Sequence, residues 1–258
     1  MKLALCSVAM NEQDIIGAHI KNWQGLVDKH LILVSKTSWE GSETQTDRTV
    51  EIARGMGCEV IEDTWKNEAE QRTFGLRVLE DYDFVLIVDP DEFYTKADQK
   101  KLIDRLQKPI DYLNRDTRKQ PVFVTKNMVT YWKTLDYVFD PPDSHKPIIA
   151  VDPKRAYFID KREVANIGID SPSINNRQVV DITIHHLSWV KTDAKVKEKI
   201  NSYSHKNDIQ DTWFNEVWSK WTPGSDMKIR PYGREPSIAK HQPAPEEIRR
   251  LLDTQNMV

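Results

Sequence analysis

Apolar and polar positions alternate in blocks along the first third of the chain. Leu3 to Ala9 is an apolar stretch, interrupted only by Ser7, that predicts a core strand, followed by a polar turn at Asn11 and Glu12. Ile15, Ile16, Ile20 and Trp23 then recur at helical spacing and predict a helix from Ile15 to Leu26, with Asp14 as its cap. His30 to Val34 predicts a second strand. A helix from Arg48 to Met56 follows, capped by Asp47 and stopped by Gly57. Residues 58–61 predict a third strand, Asn67 to Asp81 a third helix, and the run Phe84 to Val88 a fourth strand. This β-α-β-α-β-α-β order implies right-handed crossovers and a mainly parallel sheet flanked by helices, an α/β, Rossmann-like fold.

Beyond residue 95 the pattern is less regular. A charged helix is expected from Lys96 to Gln107, then strands at Pro121 to Val124, Asn127 to Trp132, Pro147 to Val151, Arg155 to Ile159 and Val179 to His185. Ala194 to His205 predicts an amphipathic helix with Val196, Ile200 and Tyr203 inward, and Trp213, Trp218 and Trp221 follow in a short helical or irregular stretch. The segment from Pro223 to Pro245 reads as a surface-wrapping tail before a last helix at Pro245 to Leu252. The expected organisation is one domain over 1–258. Residues 1–95 form its ligand-binding half, 96–222 a completing half and 223–258 the tail.

The fourth strand carries the chemistry. It runs into Asp89-Pro90-Asp91-Glu92, at the carboxyl end of a parallel strand, where open α/β sheets bind ligands. Residues two apart on an extended segment point the same way, so Asp89 and Asp91 can converge on one cation. Hard cations such as Mg²⁺ bridge carboxylates to substrate phosphates.

Composition narrows the classes. The 258 residues, 39% hydrophobic and 30% charged with a net charge of −3, suit a globular chain without a global basic footprint for nucleic acid. No apolar run approaches the roughly 18 residues of a membrane span, so no transmembrane segment is expected. The opening apolar stretch is ended too soon by Asn11 and Glu12 to be a signal peptide. Two cysteines, Cys6 and Cys58, read as reduced buried thiols, which makes a cytoplasmic location the expectation.

The opening strand with Met10-Asn11-Glu12, the Gln71-Arg72-Thr73-Phe74-Gly75 stretch and the Asp89-Pro90-Asp91-Glu92 strand end resemble family 2-like glycosyltransferases of the GT-A fold. His185-His186-Leu187-Ser188-Trp189, with Ser202-Tyr203-Ser204-His205 after it, is similar to a stretch of family 17-type N-acetylglucosaminyltransferases. The resemblance covers most of residues 1–100 and roughly 180–206. It implies that the first half binds a nucleotide-sugar donor, a UDP-sugar foremost. Asp91, with Asp89, would carry Mn²⁺ or Mg²⁺ on the diphosphate, and His186 would complete the metal site, His185 being the fallback. Arg72 would lie near the donor.

Asn11, Glu12, Ser35 and Trp189 are further donor-binding candidates, and Asp89 is also a candidate for the ribose. Family 2 chains usually place an aspartate where this chain has Ser35, so nucleoside recognition is expected to differ. An inverting transfer needs a general base, usually a carboxylate. Asp140, Asp143, Glu163 and Asp170 lie between the two motifs, with Asp170 and Asp143 as the leading candidates. The acceptor is open: a glycan, a lipid-linked group, a protein or a modified nucleic acid. Lys228, Arg230, Arg234, Lys240 and His241 form a candidate basic patch in the tail. A sugar-1-phosphate nucleotidyltransferase would need a glycine-rich loop where Met10-Asn11-Glu12 stands. A non-catalytic nucleotide-binding or assembly protein of the same fold is the alternative from another class.

Overall fold

A computed structural model describes residues 1–39, 47–108, 122–166, 177–202, 209–231 and 236–253. In chain order the elements are β1 (Leu3–Ala9), α1 (Ile16–Trp23), β2 (Lys29–Ser35), α2 (Thr49–Gly55), β3 (Glu59–Asp63), α3 (Glu68–Val78), β4 (Phe84–Ile87), β5 (Glu92–Phe93) and α4 (Lys96–Gln107). They continue with β6 (Val122–Trp132), β7 (Tyr137–Asp140), β8 (Ile148–Val151), β9 (Ala156–Asp160), β10 (Glu163–Asn166), β11 (Arg177–Trp189), α5 (Asp193–Ser202), a π-helical turn (Phe214–Trp218), β12 (Ile238–His241) and α6 (Glu246–Asp253).

The main sheet runs β12-β7-β6-β8-β4-β1-β2-β3, with β11 alongside β6 and β5. Its heart is parallel. β1 pairs with β2 and β4, β2 pairs with β3, and the long β6 and β11 pair with each other. The antiparallel β8 joins the two parallel blocks. This is the mixed, mainly parallel, helix-flanked architecture expected from the pattern.

Alternation along β1 and β4 explains why both faces are covered. Ala4, Cys6, Val8, Val85 and Ile87 face one core with Ala69, Leu76 and Leu79 of the α3 region. Leu3, Leu5, Leu86 and Val88 face the opposite core, with Trp23 of α1 and Leu102 and Leu106 of α4. Gly75 allows α3 to lie close: a Cβ there would meet the Cys6 sulfur at 2.5 Å and Leu33 Cδ1 at 3.1 Å. Asn67 caps α3, its side chain accepting from Glu70 N–H at 2.9 Å.

Three expectations change. Asp14 does not cap α1; the Glu12 carbonyl takes the Ile15 and Ile16 N–H groups, and Asp47 accepts from Gln13 N–H. The two strands expected at 121–132 are one, β6. The polar step at Thr125-Lys126-Asn127 is absorbed because the Thr125 hydroxyl lies 2.9 Å from both the Ile182 and Asn127 carbonyls. The tail does more than wrap: β12 extends the sheet by pairing antiparallel with β7. The strand expected at Arg155 to Ile159 is β9, whereas its partner β10 and the two-residue β5 carry too few residues to leave a periodic signal. Cys6 and Cys58 are free thiols, and no described helix is long and apolar enough to cross a membrane.

Candidate active site

The carboxyl ends of β1, β2 and β4 open into a cavity of about 560 Å³. Its wall includes Asn11 and Glu12 after β1, Ser35, Thr37 and Trp39 at the end of β2, Arg72 on α3, Asp89 and Asp91 after β4, and His186 on β11. Asp91 and His186 lie 95 positions apart in sequence, and backbone pairing closes that gap. β5 pairs antiparallel with β11, setting His186 opposite Glu92, and Leu187 N–H donates to the Asp91 carbonyl at 2.7 Å. His186 Nε2 thereby stands 3.5 Å from Asp91 Oδ2.

Strand alternation separates the two histidines. His186 lines the cavity, whereas the buried His185 Nδ1 pairs with the Tyr131 hydroxyl at 2.9 Å. Their titrations separate too. Asp91 opposes the cost of burial and raises the pKa of His186, while burial lowers that of His185 to about 4. The His186 cation in turn holds the Asp91 carboxyl well below its ordinary value, against the opposing effect of burial.

An NMR titration of the imidazole resonances is expected to place adjacent histidines on opposite sides of pH 6.5. The signs for stability follow from linkage. The contribution of neutral His185, like that of buried His19, is full above pH 6.5. It is lost as pH falls toward about 4, because the unfolded chain takes up the proton first. The His186 contribution is present below pH 6.5 and lost as pH rises through its raised folded value.

The hydrogen-bond network fixes how His186 presents itself. The Thr130 hydroxyl donates to Asp143 Oδ2 at 3.0 Å, so its oxygen is left to accept from His186 Nδ1 at 3.2 Å. Nδ1 then carries the hydrogen and Nε2 faces Asp91. Such an outer chain orients a ligating imidazole. Asp143 is itself held by Arg230. Both of its oxygens are engaged, which places it behind His186 as an orienting group. The other leading base candidate, Asp170, lies outside the described residues, as does much of the Ser202-Tyr203-Ser204-His205 stretch.

Asp89 is placed differently from Asp91. β4 ends at Ile87, and a turn at Pro90-Asp91, closed by Glu92 N–H on the Asp89 carbonyl at 2.9 Å, breaks the extended run, so the two carboxylates part. Asp89 meets α3, where Arg72 donates to Asp89 Oδ2 at 2.9 Å and to Glu68 Oε1 at 2.8 Å. A second guanidinium, Arg162 from the β9–β10 turn, stands 3.5 Å from Asp89 and also clasps Glu92. The same Arg162 donates to the Ile87 and Ile148 carbonyls at 2.8 and 2.9 Å. The two arginines hold Asp89 below its ordinary pKa against the effect of burial. Asp89 Oδ1 and Arg72 Nη1 are buried with no hydrogen-bond partner among the described residues. Sequence reasoning missed Arg162, since a turn arginine carries no periodic signal.

Other candidates resolve individually. Asn11, at φ +56°, directs its amide to Glu198 at 2.6 Å, and Glu12 pairs with Lys191 at 3.0 Å. The Ser35 hydroxyl donates to the Thr37 carbonyl at 2.6 Å. Trp189 is corrected: it is buried among Trp132, Trp213 and Trp218 and does not line the cavity. The aromatic wall is Trp39, whose indole N–H donates to Gln71 at 2.9 Å. The tail cations Arg230 and Lys240 are paired with Asp143 and Asp140.

No group of three or more side chains arranged to hold a metal occurs among the described residues. What the site offers is one carboxylate oxygen and one imidazole nitrogen, from Asp91 and His186. That set fits a cation whose other ligands come from substrate phosphates and water, and the nitrogen favours Mn²⁺ over Mg²⁺.

No protein-family model and no curated protein matches the chain. Among solved structures, glucosyl-3-phosphoglycerate synthase from Mycobacterium tuberculosis, in complex with Mn²⁺, uridine-diphosphate-glucose and glycerol 3-phosphate, is 20% identical. Its TM-score is 0.35, over 48% of this chain and 44% of that one. A second structure of the M. tuberculosis synthase gives 20% identity and a TM-score of 0.32 over 52% and 46%. A putative glucose-1-phosphate thymidylyltransferase from Bacillus anthracis, in complex with a sucrose, gives 12% and 0.33 over 100% and 96%. The match thus spans less than half the length of the synthases. At these identities and TM-scores the likenesses carry no inference about activity, which rests on the residues of this chain.

Proposed function

We propose that the chain is a metal-dependent glycosyltransferase. It moves a sugar from a nucleotide-sugar, a UDP-sugar foremost, to an acceptor hydroxyl with inversion. The observation that carries this reading is the meeting of Asp91 and His186 across the β5–β11 pairing, in a cavity at the carboxyl ends of parallel strands. Asp91 and His186 would hold Mn²⁺ or Mg²⁺, which when bound supplies Lewis-acid stabilisation of the leaving diphosphate. Arg72 and Arg162 hold Asp89 still, leaving one of its oxygens as the acceptor for a donor hydroxyl. Trp39 and Gln71 form the wall against which the nucleoside lies, and Thr130 with Asp143 keeps the His186 ring in register.

The expected result is UDP release from a UDP-sugar when Mn²⁺ is supplied, abolished by EDTA and restored by excess Mn²⁺. Nucleotide binding without turnover across a UDP-sugar screen would instead favour a non-catalytic nucleotide-binding protein.

A further inference from the structure

The cations around the cavity divide by wall. Arg72 and Arg162 are bound to the carboxylates of the Asp89 strand end. On the β11 side, Lys191, Lys195 and Lys199 recur every fourth residue from the end of β11 into α5, and all three line the cavity. Lys195 and Lys199, four apart on α5, share a helix face, and Lys191, in the segment before the helix, lines the same cavity.

Lys191 Nζ pairs with Glu12 at 3.0 Å. Lys195 Nζ donates to the Asn11 carbonyl at 3.2 Å and stands 3.9 Å from Glu198, a carboxylate that also takes the Asn11 amide. Lys199 Nζ donates to the Ser188 hydroxyl at 2.7 Å and lies 5.3 Å from the centre of the Trp189 ring. Burial lowers the pKa of Lys199 although Asp91 works in the other direction. An anion set against the row would offset that cost of holding an ammonium out of water. The row is also set apart from the nucleoside wall. Ser35, Thr37 and Trp39 come from β2, two strands to one side of β4, whereas the lysines enter from the β11 side.

We infer that the lysine row is an anion subsite for the acceptor: the substrate that receives the sugar carries a phosphate, which docks against Lys191, Lys195 and Lys199 beside Asp91 and His186. The inference rests on the glycosyl-transfer reading and names the acceptor's chemical class. A lysine is a point-charge phosphate ligand that needs no fixed fork geometry, so three lining one cavity suit a group whose orientation is set elsewhere.

The test is calorimetric titration of inorganic phosphate into the whole chain, with and without saturating UDP and Mg²⁺. Lys195→Ala and Lys199→Met are compared with wild type, and melting curves confirm that each variant is folded. Phosphate is expected to bind wild type in both conditions. Each lysine variant should weaken it roughly tenfold, as loss of one charge-assisted hydrogen bond implies, and change UDP affinity less than about twofold. Lys228→Ala, an exposed tail lysine, should change neither.

The inference is overturned if wild type gives no phosphate binding, or if the variants bind phosphate as tightly as wild type. It is overturned equally if UDP displaces phosphate and the variants lose UDP instead, which would assign the row to the donor diphosphate. Absence of UDP binding would sink the glycosyl-transfer reading and, with it, the acceptor role; phosphate binding lost in the lysine variants would then mark an anion site of another kind.

Discussion

Asp91→Asn is expected to lower kcat/KM for UDP-sugar turnover by about three orders of magnitude while leaving the fold intact. A metal contributes several kcal/mol of transition-state charge stabilisation, and about 1.4 kcal/mol corresponds to tenfold in rate. Asp91 is the carboxylate that faces His186 Nε2, at 3.5 Å. Asparagine keeps the shape and the backbone acceptor for Leu187 N–H but removes the charge. The loss should therefore appear in metal-supported turnover, with the thermal midpoint changing little. Steady-state assays across a Mn²⁺ series, with a melting curve for each protein, check both halves. Equal activity in the variant at every Mn²⁺ concentration would place the metal elsewhere or remove it from the chemistry.

Arg162→Met is expected to produce the largest stability loss of any single substitution near the cavity. Glu92 is 2% exposed, and Arg162 is the guanidinium that clasps it. Burial raises the Glu92 pKa and Arg162 opposes that rise. Removing Arg162 strands this carboxylate, weakens the hold on Asp89 and takes the donor from the Ile87 and Ile148 carbonyls. Breaking one side of a buried ion pair costs about 3–5 kcal/mol, and a chain of this size loses roughly 2–4 °C of Tm per kcal/mol. Urea and thermal denaturation should show a drop of about 10 °C. Arg162→Met combined with Glu92→Leu should recover much of it, because replacing both members of a buried pair is often neutral. A midpoint within about 2 °C of wild type for the single variant would show the network to be screened by solvent, in line with exposed pairs.

The legible parts of the fold are those whose information is local. β1 is observed over Leu3–Ala9 and α4 over Lys96–Gln107, the limits their apolar runs and flanking turn residues predict. The β3-β2-β1-β4 block follows from alternating strand and helix patterns, and the strand end at Asp89 falls on the cavity as its position in that block requires. Longer-range facts were not legible. The preference for His186 over His185 comes only from the family resemblance; physically, which of them reaches Asp91 depends on the register of β11 against β5, which neither segment encodes alone. Arg162 and the α5 lysines are polar residues in a turn and on a helix, where composition predicts a solvated surface; topology turns them inward. Trp189 fits a donor-stacking role by sequence position, but the five-tryptophan packing around Trp132 is a property of the assembled C-terminal core.

The proposed metal site is tested most directly by electron paramagnetic resonance of Mn²⁺ titrated into the protein with UDP present, comparing wild type with His186→Ala. Wild type should remove about one equivalent of the free-ion signal, and His186→Ala should weaken that uptake by at least roughly 10- to 100-fold, the loss that removing even a ligand's outer partner causes. Identical uptake by the two proteins, or no uptake by either, would contradict a metal held between Asp91 and His186.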